Sequence, residues 1–495
     1  MPERTATPLR AATMGEIADR ISTPSYDRSR IASGIVHFGV GGFHRAHQAM
    51  YVDRLLERGR ADEWGICGVG VLPGDRRMRD ALRAQDYLYT LSAIAPDGTW
   101  TTRIIGSLVE YRYAPDDPEA VVAKLADPST RIVSLTITEG GYHIAPATGE
   151  FDADDPAIRA DLAGDAPPAT VFGLVVAALA RRRSRGVAPF TVLSCDNIEG
   201  NGDLARRMFG AFAALRDPGL GSWVTEQVCF PNSMVDRITP VTPPGATGEI
   251  ERRYGVLDRR PVVTEPFAQW VLEDSFGLGR PPFEEVGVQV VDDVTPYELM
   301  KLRLLNAGHQ ALCYFGYLSG YRLVHDAAQD PVFRRFLLRY MDAEATPTLR
   351  AVPGVDLDAY KRTLLDRFAN PAIGDTIARL CAESSDRIPK WLLPVVRARL
   401  AVGGEIECAA AVVASWARYA EGFDEHGEPI EIVDRLRDRL VPLARRQREH
   451  PTAFLEERSL FGDLIEQPRF VAAYLAALDS LRGRGARATV EALAR

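Results

Sequence analysis

The chain has 495 residues, too many for one ordinary hydrophobic core, so two domains are expected. Its 46% hydrophobic and 25% charged residues are those of an ordinary globular protein, and a net charge of -8 excludes the basic footprint that nucleic-acid binding needs. The longest apolar run, residues 171–180, falls well short of the roughly 20 residues that a bilayer span requires, so no membrane partner is expected.

Residues 1–30 carry arginine and aspartate without the apolar core of a secretory signal, which makes the cytoplasm the expected location. β-Branched runs at 34–40, 64–71, 131–138 and 190–194 then alternate with helical patterns, as βαβ units of a buried parallel sheet do. Arginine runs at 181–183 and 445–446 read as solvated helix faces. The six cysteines, Cys67, Cys195, Cys229, Cys313, Cys381 and Cys408, form no CxxC pair and read as buried free thiols.

The first strand runs into Gly39-Val40-Gly41-Gly42-Phe43, with a helix expected over 46–58. A dinucleotide pyrophosphate needs a turn without Cβ atoms in the way, and free amides at a helix start. Gly39 and Gly41 supply the turn, and Ala46 stands where the usual fingerprint has its third glycine. The spacing is G-x-G-x-x-x-x-A, and a plain tight turn is the competing reading. Gly39 to Phe43 are the candidate cofactor contacts. After the second strand, Asp75 is the candidate reader of the adenosine ribose; it would favour NAD and repel a 2′-phosphate, whereas Arg76 and Arg77 would accept one. NAD is therefore expected over NADP. His44 and His47 lack a third ligand nearby, so they read as structural or substrate-edge residues and no metal site is expected.

The loop at 194–202 follows the fourth strand, where ligand-facing residues of open α/β sheets collect. Its Asn197 could donate to a developing alkoxide, although turn formation alone would also explain Asp and Asn here. Between 239 and 296, prolines at 243, 244, 281, 282 and 296 break any long periodic segment and mark irregular strands and a junction. The fold class is α/β: a Rossmann-type N-terminal domain over 1–291 and a mainly α-helical C-terminal domain over 292–495.

The second domain opens with a helix at 297–314 that is apolar nearly all round and therefore buried. On an ideal helix Glu298, His309 and Asn306 lie at about 60°, 80° and 140° from Lys301, one broad face. Such groups are costly to bury unless they meet partners or a ligand. A desolvated lysine can act as a base without a metal, which alcohol oxidation with hydride transfer to nicotinamide requires.

With these segments in hand, the sequence resembles the mannitol dehydrogenase family, the polyol-specific long-chain dehydrogenases and reductases. The resemblance rests on residues 39–47, Thr138-Glu139-Gly140-Gly141-Tyr142, Ser194-Cys195-Asp196-Asn197, residues 230–240, and the K-x-x-x-x-N-x-x-H spacing of Lys301, Asn306 and His309. It implies a substrate cleft between the two domains and oxidation of a polyol at C2 to a ketose, D-mannitol to D-fructose first and arabinitol or sorbitol next. It also implies roles: Lys301 as general base, Asn197 and Asn306 stabilising the alkoxide, and His309 orienting substrate hydroxyls. Glu139 and Glu298 would pass the proton to solvent, and Asp236 and Arg379 would contact substrate. A second basic contact, commonly lysine in the family, is Arg387 here, which bears on the finer polyol preference. Uronate reductases of the same fold family, acting on fructuronate or tagaturonate, need extra positive charge, and the 138–142 segment looks more like the polyol branch. A non-catalytic NAD-binding sensor would have no use for a buried base, and a zinc alcohol dehydrogenase would need ligand spacing that is missing. A monomer or weak homo-oligomer is expected.

Overall fold

The computed structural model describes residues 6–145 and 149–495; the first five positions of the stretch read for an export signal lie outside them. Five short strands form one parallel sheet: β1 (Ile35–Phe38), β2 (Ile66–Gly70), β3 (Leu108–Tyr113), β4 (Ile132–Leu135) and β5 (Thr191–Ser194). Their order across the sheet is β3-β2-β1-β4-β5. This is the Rossmann-type arrangement expected, with the order reversing at β1, where such sheets bind their ligands.

β1, β2, β4 and β5 are buried at every position because both faces of the sheet are covered. Val36, Phe38, Val133, Leu135 and Val192 point to one core, shared with the helices Val171–Ser184 and Asn201–Arg216. Ile35, Ile66, Ile132 and Leu193 point to the other, shared with the helix Gln48–Glu57 and with Trp270. Ile35 sits in register with both Ile66 and Ile132, so the carboxyl ends of β1, β2 and β4 emerge along one edge.

Two smaller sheets complete this unit. Tyr89–Ile94 pairs with Trp100–Ile105 and Val262–Thr264, while Gln269–Glu273 joins Ser233–Asp236 to Gln289–Val291. Within the arginine run at 181–183, expected to form a solvated face, Arg183 is exposed and Arg182 is not. Arg182 is fully buried, because its guanidinium donates to the carbonyls of Leu125, Asp127, Thr130 and Ala188 and so closes that loop end. All six cysteines are free, and only Cys229 is less than buried.

The chain divides into two compact units, the first reaching to Ala95 and continuing over Thr99–Thr295, the second comprising Pro96–Gly98 and Pro296–Arg495. From residue 296 on the elements are helical, and the β pairing among the described residues is limited to isolated bridges between Leu323 and Thr376 and between Phe423 and Pro429. The helical run from Thr295 to Leu318 lies at the centre of this unit, packed against the helices Ile377–Cys381 and Glu407–Tyr419. Among the described residues, no helix is long and apolar enough to cross a membrane.

Candidate active site

In the first unit, Gly39 leaves β1 with φ +92°, and a Cβ there would stand 2.1 Å from the Thr136 carbonyl oxygen. Only glycine fits. Three donors converge on the Gly39 carbonyl: the Gly41 amide at 2.6 Å, Thr136 Oγ1 at 2.7 Å and, in one tautomer, His37 Nε2 at 3.2 Å. Gly41 differs, since a Cβ there would meet nothing nearer than the Gly39 oxygen at 3.8 Å. Its outer face is open space of the kind a bound backbone-hugging ligand would fill. The following helix begins at Gly42, earlier than expected, and breaks at His47 before resuming as Gln48–Glu57.

His37 and His44 lie beneath this turn with rings stacked at 3.5 Å. Burial pushes His37 down to about 3, and burial followed by the neighbouring His37 pushes His44 well below the usual histidine range. Both are neutral near pH 7. His47 is also buried and bonds the Gln269 carbonyl at 2.9 Å. His44 and His47 are therefore core residues, the structural of the two roles expected, and neither stands at an open edge.

Asp75 starts the helix Asp75–Arg83, and its Oδ2 accepts the amides of Val71 and Leu72, both at 2.9 Å. One carboxylate oxygen thus shapes the loop after β2. Gly70 makes this possible, since a Cβ there would fall 2.6 Å from the Asp75 Cβ. Arg76 pairs with Asp116 at 3.0 Å and lies over the Tyr113 ring, while Arg77 is exposed.

Glu139 and Asn197 are exposed on the loops that follow β4 and β5. The two loops are joined by Asp196, which the sequence reading passed over in favour of its neighbour. Its carboxylate accepts the Thr138 amide at 2.7 Å, the Ile137 amide at 3.2 Å and the Tyr142 hydroxyl at 2.9 Å. Burial pushes Asp196 upward, opposed by those hydrogen bonds. Thr138, with φ +62°, is held in a conformation that a β-branched residue rarely adopts. Asn201 extends the brace: its amide nitrogen donates to the Asp196 and Ser233 carbonyls and its oxygen accepts the Ser233 amide. Asp236, at the end of that Ser233–Asp236 strand, is 3% exposed.

In the second unit, Glu298, Lys301 and Asn306 are all buried, at 6%, 7% and 4% exposure, on the central helix. The helix is not regular there. Residues Lys301–Asn306 form a π-turn, and the Ala307 amide reaches back five residues to Leu302. A regular helix would set Lys301 and Asn306 about 140° apart; the wider i to i+5 turn, with more residues per turn, reduces that angle and brings the two positions onto the same side of the helix. His309 is half-buried and stacks on Phe368 with centroids 4.1 Å apart. Arg379 is exposed and forms a two-pronged pair with Asp375, which raises its already high pKa. Arg387 Nη1 donates to the carbonyls of Arg379 and Leu380, at 3.1 and 2.9 Å, so these two arginines share one corner of the helical unit.

Comparison with known proteins agrees over nearly the whole chain. The model of the mannitol dehydrogenase Rossmann domain matches residues 33–285, and that of the mannitol dehydrogenase C-terminal domain matches residues 293–482. A mannitol 2-dehydrogenase of Phaeosphaeria nodorum is 48% identical over 474 residues, covering 95% of this chain and 83% of the relative. Among solved structures, the Pseudomonas fluorescens mannitol 2-dehydrogenase in ternary complex with NAD and D-mannitol aligns with a TM-score of 0.89 at 45% identity, covering 98% of this chain and 99% of that one. A D-sorbitol dehydrogenase in substrate-free form aligns with a TM-score of 0.90 at 39% identity, covering 98% and 100%.

Proposed function

Because this chain belongs to the mannitol dehydrogenase family, we propose that it is an NAD-dependent dehydrogenase that interconverts a polyol and its ketose. D-Mannitol and D-fructose are the first pair. Sorbitol follows, on the likeness to a D-sorbitol dehydrogenase, and arabinitol after it. The observation that carries the reading is the burial of Lys301, Asn306 and Glu298 on one π-turned helix, in a chain so similar to an enzyme solved with NAD and D-mannitol.

The glycine turn fits a dinucleotide: Gly39 is sterically obligatory, and the face of Gly41 is free of neighbours. Gly39 to Phe43 would hold the pyrophosphate and the Asp75 loop the adenosine ribose. The pairing of Arg76 with Asp116 lessens its availability to a 2′-phosphate, which supports NAD over NADP. When bound, NAD supplies the hydride acceptor.

In this mechanism the neutral Lys301 Nζ takes the proton of the reacting hydroxyl. Asn306 donates a hydrogen bond to the oxygen as it gains charge, a role assigned also to Asn197; an uncharged amide does so without suppressing the basicity of the lysine. His309, steadied by Phe368, orients a neighbouring hydroxyl. Glu298 and Glu139 carry the proton onward, while Asp236, Arg379 and Arg387 contact the rest of the polyol. No metal is needed, because the lysine performs the deprotonation. Purified protein assayed with NAD and with NADP against D-mannitol, D-arabinitol, sorbitol and fructuronate should show NAD-linked oxidation of D-mannitol. Turnover of fructuronate alone, or of no polyol, would remove the proposal.

A further inference from the structure

A π-turn costs an α-helix part of its hydrogen-bond ladder and persists where something outside the helix compensates. At the end of the Lys301–Asn306 turn, the Ala307 amide divides itself between the carbonyls of Leu302 and Leu304. It bypasses Arg303, the partner four residues back that a regular helix would give it. The bypassed carbonyl is the one that Tyr340 reaches, its Oη donating to the Arg303 oxygen at 3.1 Å.

Tyr340 is built to stay there. It is fully buried, and burial together with Glu344 holds its phenol well above the usual range, so the hydroxyl remains a donor. It opens a second π-turn, Tyr340–Ala345, whose Glu344 accepts the amides of Cys408 and Ala409 at 2.6 and 2.8 Å, where the helix Glu407–Tyr419 begins. Arg303 is also tied through its own side chain, Nη1 donating to the Thr348 carbonyl at 2.6 Å. The turn is thus braced from the facing element at the carbonyl that the Ala307 amide bypasses.

We propose that Tyr340 is a positioning residue for Asn306 relative to Lys301: its hydroxyl holds the π-turn that brings the amide round to the lysine's side of the helix. The inference rests on the reading of Lys301 as base and Asn306 as its amide partner. Removing the hydroxyl lets the ladder relax toward the regular helix, which swings Asn306 away from the Lys301 side.

The test is a double-mutant cycle of Tyr340→Phe with Asn306→Ala, assayed with NAD and whichever polyol of the panel is turned over fastest, beside Lys301→Ala. Tyr340→Phe should lower kcat about 10- to 100-fold, the scale of a small misplacement of a reacting group, with KM for NAD and fluorescence-measured NADH affinity unchanged. In the Asn306→Ala background the same substitution should cost almost nothing. Wild-type kcat in Tyr340→Phe, with Lys301→Ala inactive, overturns the role of Tyr340 alone. An equal loss with and without Asn306 also overturns it, since that is general loosening. An active Lys301→Ala instead overturns the reading of the base.

Discussion

The carbonyl oxygen of Thr136 occupies the space that a side chain on Gly39 would need, 2.1 Å from where its Cβ would stand. A methyl group there can be accommodated only by pushing the ends of β1 and β4 apart. Gly39→Ala should therefore weaken NADH binding by at least about 10-fold, the scale of one strained backbone residue, measured by fluorescence titration. Near-normal affinity would show that this turn does not hold the dinucleotide.

Lys301→Ala removes the proposed base and leaves the first unit untouched. Turnover should fall by about 100- to 10,000-fold, the usual scale for a general base, while NADH binding stays close to wild type. The native protein should also keep its activity through EDTA treatment. A loss in EDTA that added zinc restores would put a metal in the place given to the lysine.

Asp196→Ala strips the shared acceptor from the Ile137 and Thr138 amides and the Tyr142 hydroxyl. Leaving buried donors unpaired should destabilise the first unit by about 2–3 kcal/mol. The loops bearing Glu139 and Asn197 should loosen with it, so a lower melting temperature should accompany a lower kcat. An unchanged melting temperature in calorimetry would show that the loops do not lean on this carboxylate.

Stability should depend on pH through His37. Its folded pKa, about 3, lies below the unfolded value near 6.5, so the unfolded chain binds the proton more readily between those limits. The contribution is fully present above pH 6.5 and is lost progressively as pH falls toward 3, on the order of 3–5 kcal/mol in all. Denaturant unfolding of the cofactor-free protein should lose stability more steeply from pH 6.5 to 4 than that of His37→Asn. Parallel slopes would assign the acid sensitivity to other groups.

Four of the five strands of the parallel sheet were legible because a strand buried on both faces reads as a short run rich in apolar and β-branched residues with no charge in it. β3 was not, because Glu110 and Arg112 alternate with apolar residues on this edge strand and pair with each other at 2.5 Å, the pattern of a surface segment. The lysine helix was legible from its apolar surround, whereas its π-turn was not: nothing in the local composition marks it, and its brace comes from Tyr340, 37 positions away. Asp196 escaped for the same reason. Its composition is that of any turn, and the amide it holds most closely belongs to Thr138, 58 positions back.

The fastening of the glycine turn to Thr136 and His37 has a consequence for how a guest is received. A mouth pinned to the buried strands of its own sheet is preorganised, and little ordering entropy remains to oppose capture. Affinity there would be hard to retune by substitution without endangering the fold, which leaves the more accessible loop around Asp75 as the place where cofactor selectivity can drift.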